Sequence, residues 1–170
     1  MFHNLLVRIY LALGSNLGDR ESFLRAAVAG LSSSGVEVLK CASIYSTAPR
    51  DVLDQPWFLN TMIEANAFLE ADKLLENCLA IEDDNLRKRD TGKGPRTLDI
   101  DIIFYGNEII RKPGLVVPHP RFAARRFVLE PLAEIASDFV DPVSRKTVRE
   151  LLAATPDTAE VRRLGPFLLQ

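Results

Sequence analysis

The chain has 170 residues, a length for one domain spanning 1–170, and 47% apolar with 26% charged residues suits a globular protein with a sizeable core. A formal net charge of −2 gives no global attraction to nucleic acid or an anionic membrane, and no apolar run approaches the length that crosses a bilayer. Cys41 and Cys78 lack metal-ligand spacing and read as reduced core or near-core residues, and residues 1–8 lack the apolar stretch and cleavage site of a signal peptide, so the expected location is the cytoplasm.

Val7 to Leu13 reads as a buried strand ending at Gly14-Ser15-Asn16-Leu17-Gly18, a turn that could aim backbone N–H groups at an anion or simply join strand to helix. A helix follows from about Asp19 to Ser33, with Leu17, Leu24, Val28 and Leu31 as its buried stripe. Val36 to Tyr45 is a second strand, broken at Thr47-Ala48-Pro49. Trp57 to Leu69 is a third, with Leu59, Ile63 and Ala65 on one face and Phe58, Asn60, Met62 and Glu64 on the other. Asn60 beside Phe58 suits a flat heterocycle that stacks on a ring and hydrogen-bonds an amide, although a satisfied core Asn is the commoner use of that pattern. Ala71 to about Arg87 is a second helix, whose Glu82-Asp83-Asp84 sits unfavourably near its C-terminal end and suggests a binding task for Glu82.

The chemistry concentrates in Gly94-Pro95-Arg96-Thr97-Leu98-Asp99-Ile100-Asp101 and the strand it opens, Leu98 to Tyr105. Alternation puts Leu98, Ile100, Ile102 and Phe104 on a core face and Asp99 with Asp101 on the other, Cα atoms about 6.5–7 Å apart. Two carboxylates so placed repel by about 2–3 kcal/mol at an effective dielectric near 20. A divalent cation reverses that sign, and Mg²⁺ is typically held by one or two carboxylates plus substrate phosphates. Arg96 supplies a planar phosphate clamp, and the basic loop from Arg87 to Lys93 suits a polyphosphate. A short hairpin, Glu108 to Val117, then leads to His119, held stiffly between Pro118 and Pro120. Arg121, Arg125 and Arg126 lie on a helical turn, an apolar helix lies near Leu132 to Ile135, another near Val148 to Ala153, and the tail carries no recognisable chemistry.

The order β-α-β-β-α-β predicts an α+β fold, a ferredoxin-like sandwich with an antiparallel sheet, first and fourth strands adjacent and central, plus a C-terminal hairpin and helices.

From about Ile9 to Asp141 the chain resembles the 6-hydroxymethyl-7,8-dihydropterin pyrophosphokinase family of folate synthesis. The resemblance rests on Leu13-Gly14-Ser15-Asn16-Leu17-Gly18, Tyr45-Ser46-Thr47, Gln55-Pro56-Trp57-Phe58-Leu59-Asn60, the Gly94–Asp101 segment and Val117-Pro118-His119-Pro120-Arg121. It implies pyrophosphoryl transfer from ATP to the pterin hydroxymethyl oxygen, with release of AMP. Asp99 and Asp101 would bind two Mg²⁺ ions, and Arg87 and Arg96 would hold the triphosphate and stabilise charge. Glu82, His119 and Arg125 would line the nucleotide side. Asn60 would read the pterin edge, Phe58 and Phe127 would stack on its ring, and Thr47 would contribute hydrogen bonds. The loops Arg50–Asp54 and Arg89–Lys93 would close over the substrates. The chain departs from the family pattern at Lys93, Gly92 and Gly114, positions that bear on loop closure and nucleotide affinity. The expected partners are therefore ATP and a pterin, with no nucleic acid, no membrane and a monomeric chain. A nucleic-acid-binding module of the same fold would want a basic, aromatic sheet face, which this chain lacks; an ordinary kinase would release ADP.

Overall fold

The computed structural model describes residues 6–49, 53–86 and 97–169. Arg87, Arg96, the Arg89–Lys93 loop and Arg50 to Val52 lie outside them.

Strand β1 (Val7–Ser15) forms the middle of an antiparallel sheet, between β5 (Asp99–Tyr105) and β4 (Phe58–Ala67). Two strands, β2 (Val36–Cys41) and β3 (Ile44–Thr47), run end to end along the far side of β4, and β8 (Val161–Gly165) pairs outside β3. A separate hairpin joins β6 (Ile110–Lys112) to β7 (Leu115–Val117). Helices α1 (Arg20–Ser32) and α2 (Ala71–Asp84) cover one sheet face, where Ile9, Leu11 and Leu13 pack with Leu24, Leu31, Leu74 and Cys78. Helices α3 (Arg126–Ala136) and α4 (Val148–Ala154) cover part of the other, packing Leu129, Leu132 and Val148 on Tyr10, Met62 and Phe104. Each fully buried Leu or Ile contributes about 1.5–3 kcal/mol of transfer free energy, so both layers hold the sheet. The result is the mixed α+β fold that the element order predicts.

Several local expectations need correction. The second predicted strand splits at Ala42-Ser43, because the Ser43 N–H turns away from the ladder to a Glu134 carboxylate oxygen, 2.9 Å away. Leu17 does not join the α1 stripe; it precedes the helix and is 46% exposed. Helix α2 ends at Asp84, and α3 is far longer than the Leu132–Ile135 segment, running through Pro131. The fourth core strand is adjacent to β1 as expected but lies at the sheet edge, not its centre. The tail adds β8. Within β5, Leu11 pairs with Ile102 and Tyr10 with Phe104, so Ile103 is an extra residue opposite β1. This bulge reverses the alternation. Phe104 therefore leaves the face of Leu98, Ile100 and Ile102 for the α3 side, and Tyr105 takes its place.

Candidate active site

The bulge lies beyond the acids, so period-2 alternation still governs Asp99 and Asp101. Both are half-buried, and the intervening Ile100 is buried with the α1–α2 core. The two carboxylates thus project from the same face of the outermost strand, as the sequence predicts. Across β1, Asp99 stands opposite Gly14 and Asp101 opposite Ala12. Gly14 in turn stands opposite Asn60 on β4, and Ala12 opposite Met62. Residues paired in antiparallel register share a face, so Asp99, Gly14, Asn60 and Tyr45 form one row across four strands. Strand spacing sets Asp99 and Asn60 about 9–10 Å apart, with only a glycine between them.

Gly14 has a second reason to be glycine. A Cβ there would meet the Asn60 side-chain oxygen at 2.7 Å. The Asn60 amide therefore lies over β1, donating 2.5 Å to Thr47 Oγ1. Asn60 and Thr47 are 7% and 2% exposed, and Phe58, the neighbour of Thr47 in register, is half-buried beside them. The sequence paired Asn60 with Phe58; the structure adds Thr47 as the amide's partner and Gly14 as its bed. The alternation Tyr10-Leu11-Ala12-Leu13-Gly14 already carried that signal, because it leaves only small side chains on one face near the turn.

Asn16 ties the β1–α1 turn to the loop before β4. It is buried, and its amide donates to Gln55 Oε1 at 2.9 Å and to the Pro56 carbonyl at 3.0 Å. Arg20 donates to the next carbonyl, Trp57, at 2.9 Å. The β1–α1 connection is thus spent on fixing the entry to β4.

On the other side of the acids, a cleft of about 270 Å³ runs along the β5 edge, lined by Leu75, Ile100, Asp101, Leu115, Val116 and His119 among others. The His119 N–H donates to the Ile103 carbonyl of the bulge at 3.1 Å, and its Nδ1 accepts from the Arg121 N–H at 3.2 Å. Burial and the nearby Arg125 and Arg121 guanidinium groups push the His119 pKa down to about 4, against a smaller opposing pull from Asp99. The ring is therefore neutral near pH 7, with Nδ1 occupied as acceptor and Nε2–H left as donor. Arg125 lies 5.6 Å above the Phe127 ring. The resemblance assigns these two to different substrates, and the structure brings them into contact. Glu82 is 2% exposed and accepts the Ile100 N–H at 3.1 Å, so the acid near the end of α2 supports the strand that lines the cleft. Arg87 and Arg96, which the resemblance assigns to the triphosphate, lie outside the described residues. Among the described residues no cluster of three or more His, Cys, Asp and Glu side chains forms. Burial pushes the Cys41 and Cys78 thiols up, to about 11 and about 12.

An acidic pair on an edge strand and an amide beside an aromatic ring two strands away share one sheet face. The 7,8-dihydro-6-hydroxymethylpterin-pyrophosphokinase (HPPK) family model matches residues 10–137. The 2-amino-4-hydroxy-6-hydroxymethyldihydropteridine pyrophosphokinase of Bacillus subtilis is 49% identical over 127 residues, 74% of this chain and 76% of that protein. The protein of the same name from Methylorubrum extorquens is 42% identical over 149 residues, 87% of this chain and 93% of its own. The chain belongs to the HPPK family, whose members transfer pyrophosphate from ATP to hydroxymethyldihydropterin in folate synthesis. It also matches longer proteins. It is 38% identical to the folic acid synthesis protein fol1 of Pneumocystis carinii over 94% of this chain, but spans only 22% of that protein. A crystal structure of a triple mutant of Plasmodium falciparum HPPK-DHPS superposes with a TM-score of 0.71 over 89% of this chain and 43% of that one, at 13% identity, a likeness of fold.

Proposed function

We propose that this chain, as one domain over residues 1–170, performs its family's reaction through Asp99, Asp101 and the Asn60 pocket. The pterin's hydroxymethyl oxygen attacks the β-phosphorus of ATP, the bond to the α-phosphate oxygen breaks, and AMP leaves. The observation that supports this reading is the row Asp99–Gly14–Asn60, in which acid and amide share one sheet face with a glycine between them in register.

The acids fit magnesium. Two half-buried carboxylates on one strand, above a floor of Gly14 and Ala12, leave room for ions completed by phosphate oxygens. Two Mg²⁺ ions held by Asp99 and Asp101 would neutralise the triphosphate and withdraw charge from the transferring phosphorus. The rest is positioning and charge stabilisation by the chain itself. Asn60, backed by Thr47, hydrogen-bonds the pterin edge, and Phe58 and Phe127 bracket its ring. Arg87 and Arg96 clamp the triphosphate. His119 offers Nε2–H and Arg125 its guanidinium to the nucleotide, in the cleft beside Asp101 and Val116. Glu82 serves that side by holding Ile100. The loops Arg50–Asp54 and Arg89–Lys93 close over both substrates. We place the protein in the cytoplasm as a monomer acting on small molecules; a net charge of −2 draws it to neither nucleic acid nor membrane.

Incubation with ATP, Mg²⁺ and the pterin alcohol should yield AMP and the pterin pyrophosphate. ADP as the sole nucleotide product would mark a γ-phosphoryl kinase and refute this reading. Asp99→Asn and Asp101→Asn should each lower turnover by at least about 10³-fold and weaken Mg²⁺-dependent nucleotide binding, while the melting temperature stays near wild type. Wild-type turnover in either variant would remove the metal assignment.

A further inference from the structure

The C-terminal segment beyond the family-matched residues touches the neighbours of nearly every residue assigned to the pterin. Asp157 caps α3. Its Oδ2 accepts the Arg126 N–H at 2.8 Å, its carbonyl accepts Arg126 Nε at 2.9 Å, and its Oδ1 accepts the Ala159 N–H at 3.0 Å. Helix α3 has no side-chain cap from its own N-cap residue, Arg125, so this distant aspartate takes that part. Phe127 is the next residue along. The Glu160 carbonyl accepts the Ala48 N–H at 3.2 Å, and Val161 pairs with Thr47. The Arg162 guanidinium lies 5.4 Å over the Trp57 ring, one residue before Phe58. Arg163 donates to Ser43 Oγ at 2.9 Å and stands 3.6 Å from Glu134. Glu134, from α3, also accepts Ser43 Oγ at 2.6 Å and the Tyr45 hydroxyl at 2.8 Å. One short run of chain thereby ties the end of β3, the start of β4 and the start of α3 together. Those are the three pieces of backbone that carry Thr47, Phe58 and Phe127.

We infer that the segment Asp157–Arg163 is a positioning element for the pterin pocket, setting the gap between Phe127 and the Thr47–Phe58 edge and reaching the nucleotide side through Arg125, the residue before the capped Arg126. The inference rests on the pterin reading above. The cleft at the β5 edge lies at the opposite side of the sheet from β8, which is why the two substrates should respond differently. None of these residues is assigned to a reacting atom; Asp157, Glu160 and Val161 hold backbone directly, and Arg162 and Arg163 act through the side chains of Trp57, Ser43 and Glu134. Misplacing that backbone by an ångström is enough to cost one to two orders of magnitude.

The test uses the full-length protein and measures pterin and ATP affinity separately, the first by fluorescence titration so that turnover is not needed, together with KM for each substrate. Asp157→Ala should weaken pterin binding by about tenfold and ATP binding by clearly less, the latter through Arg125 beside the lost cap. Asp157→Asn, which keeps an acceptor for the Arg126 N–H, should restore most of the loss. Arg163→Ala, which removes the contacts of the segment to Ser43 and Glu134 without disturbing the α3 cap, should weaken pterin binding, leave ATP affinity within about twofold, and carry the comparison if Asp157→Ala does not fold. Unchanged pterin affinity in these variants overturns the inference, as does a parallel fall for both substrates, the mark of a merely structural tail. If the wild-type protein releases AMP and binds the pterin, such a result leaves the proposed function standing. If it binds no pterin, both fall together.

Discussion

His119 shows how a single residue's surroundings fix its chemistry. Its ordinary pKa is 6.5 and its folded value about 4, lowered by burial first and by Arg125 and Arg121 second. As pH falls through this window the unfolded chain takes up a proton before the folded one does. Stability should therefore be lost between about pH 6.5 and pH 4, by at most about 1.4 kcal/mol per pH unit from this group, and this contribution is flat above that range. Urea midpoints without nucleotide should fall more between pH 7 and pH 5 in the wild type than in His119→Gln. Equal slopes would show that the ring titrates normally. Across the neutral range the residue can donate but carries no charge, so it can fix a nucleotide oxygen without binding it through an ion pair.

At the scale of elements, β5 joins the acids, the cleft and the bulge. Among the described residues no strand pairs with its outer side. Glu82 meets one of the amides there, and Glu82→Ala should cost about 1–3 kcal/mol by leaving the Ile100 N–H buried without that acceptor. Glu82→Gln, which retains an acceptor, should cost less; chemical denaturation of the two variants checks this. The shared face of Asp99 and Asp101 was legible in the sequence because strand period alone decides it. The bulge after them was not. Ile102-Ile103-Phe104 is apolar throughout, so nothing in its pattern marks where alternation reverses. Strand β8 was illegible for a different reason. Val161-Arg162-Arg163-Leu164-Gly165 is short and basic, and an edge strand is defined by the partner it finds more than by its own residues. The extent of α3 was hidden by Pro131, which ordinarily interrupts a helix and here lies buried within one. Asn60 was singled out from its neighbour Phe58, but the residues that orient it, Thr47 and Gly14, come from other strands and needed the register.

At the scale of the molecule, the sheet separates two cores with different duties. Leu24 lies in the α1–α2 layer and Leu129 in the α3–α4 layer, and both are fully buried. Leu24→Ala and Leu129→Ala should each cost about 2–5 kcal/mol. Only Leu129→Ala should also raise KM for the pterin, because α3 begins with Arg126 and Phe127 at the pocket. Matched stability losses with matched kinetics would mean that the two layers are equivalent. A last consequence follows from the 2.7 Å approach that any Cβ on residue 14 would make to the Asn60 side chain. Residue 14 and residue 60 cannot be varied independently. A bulkier residue at the first evicts the asparagine amide from its seat; on the proposed pterin role of Asn60, resistance to a pterin mimic arising there by one replacement should forfeit the natural substrate as well.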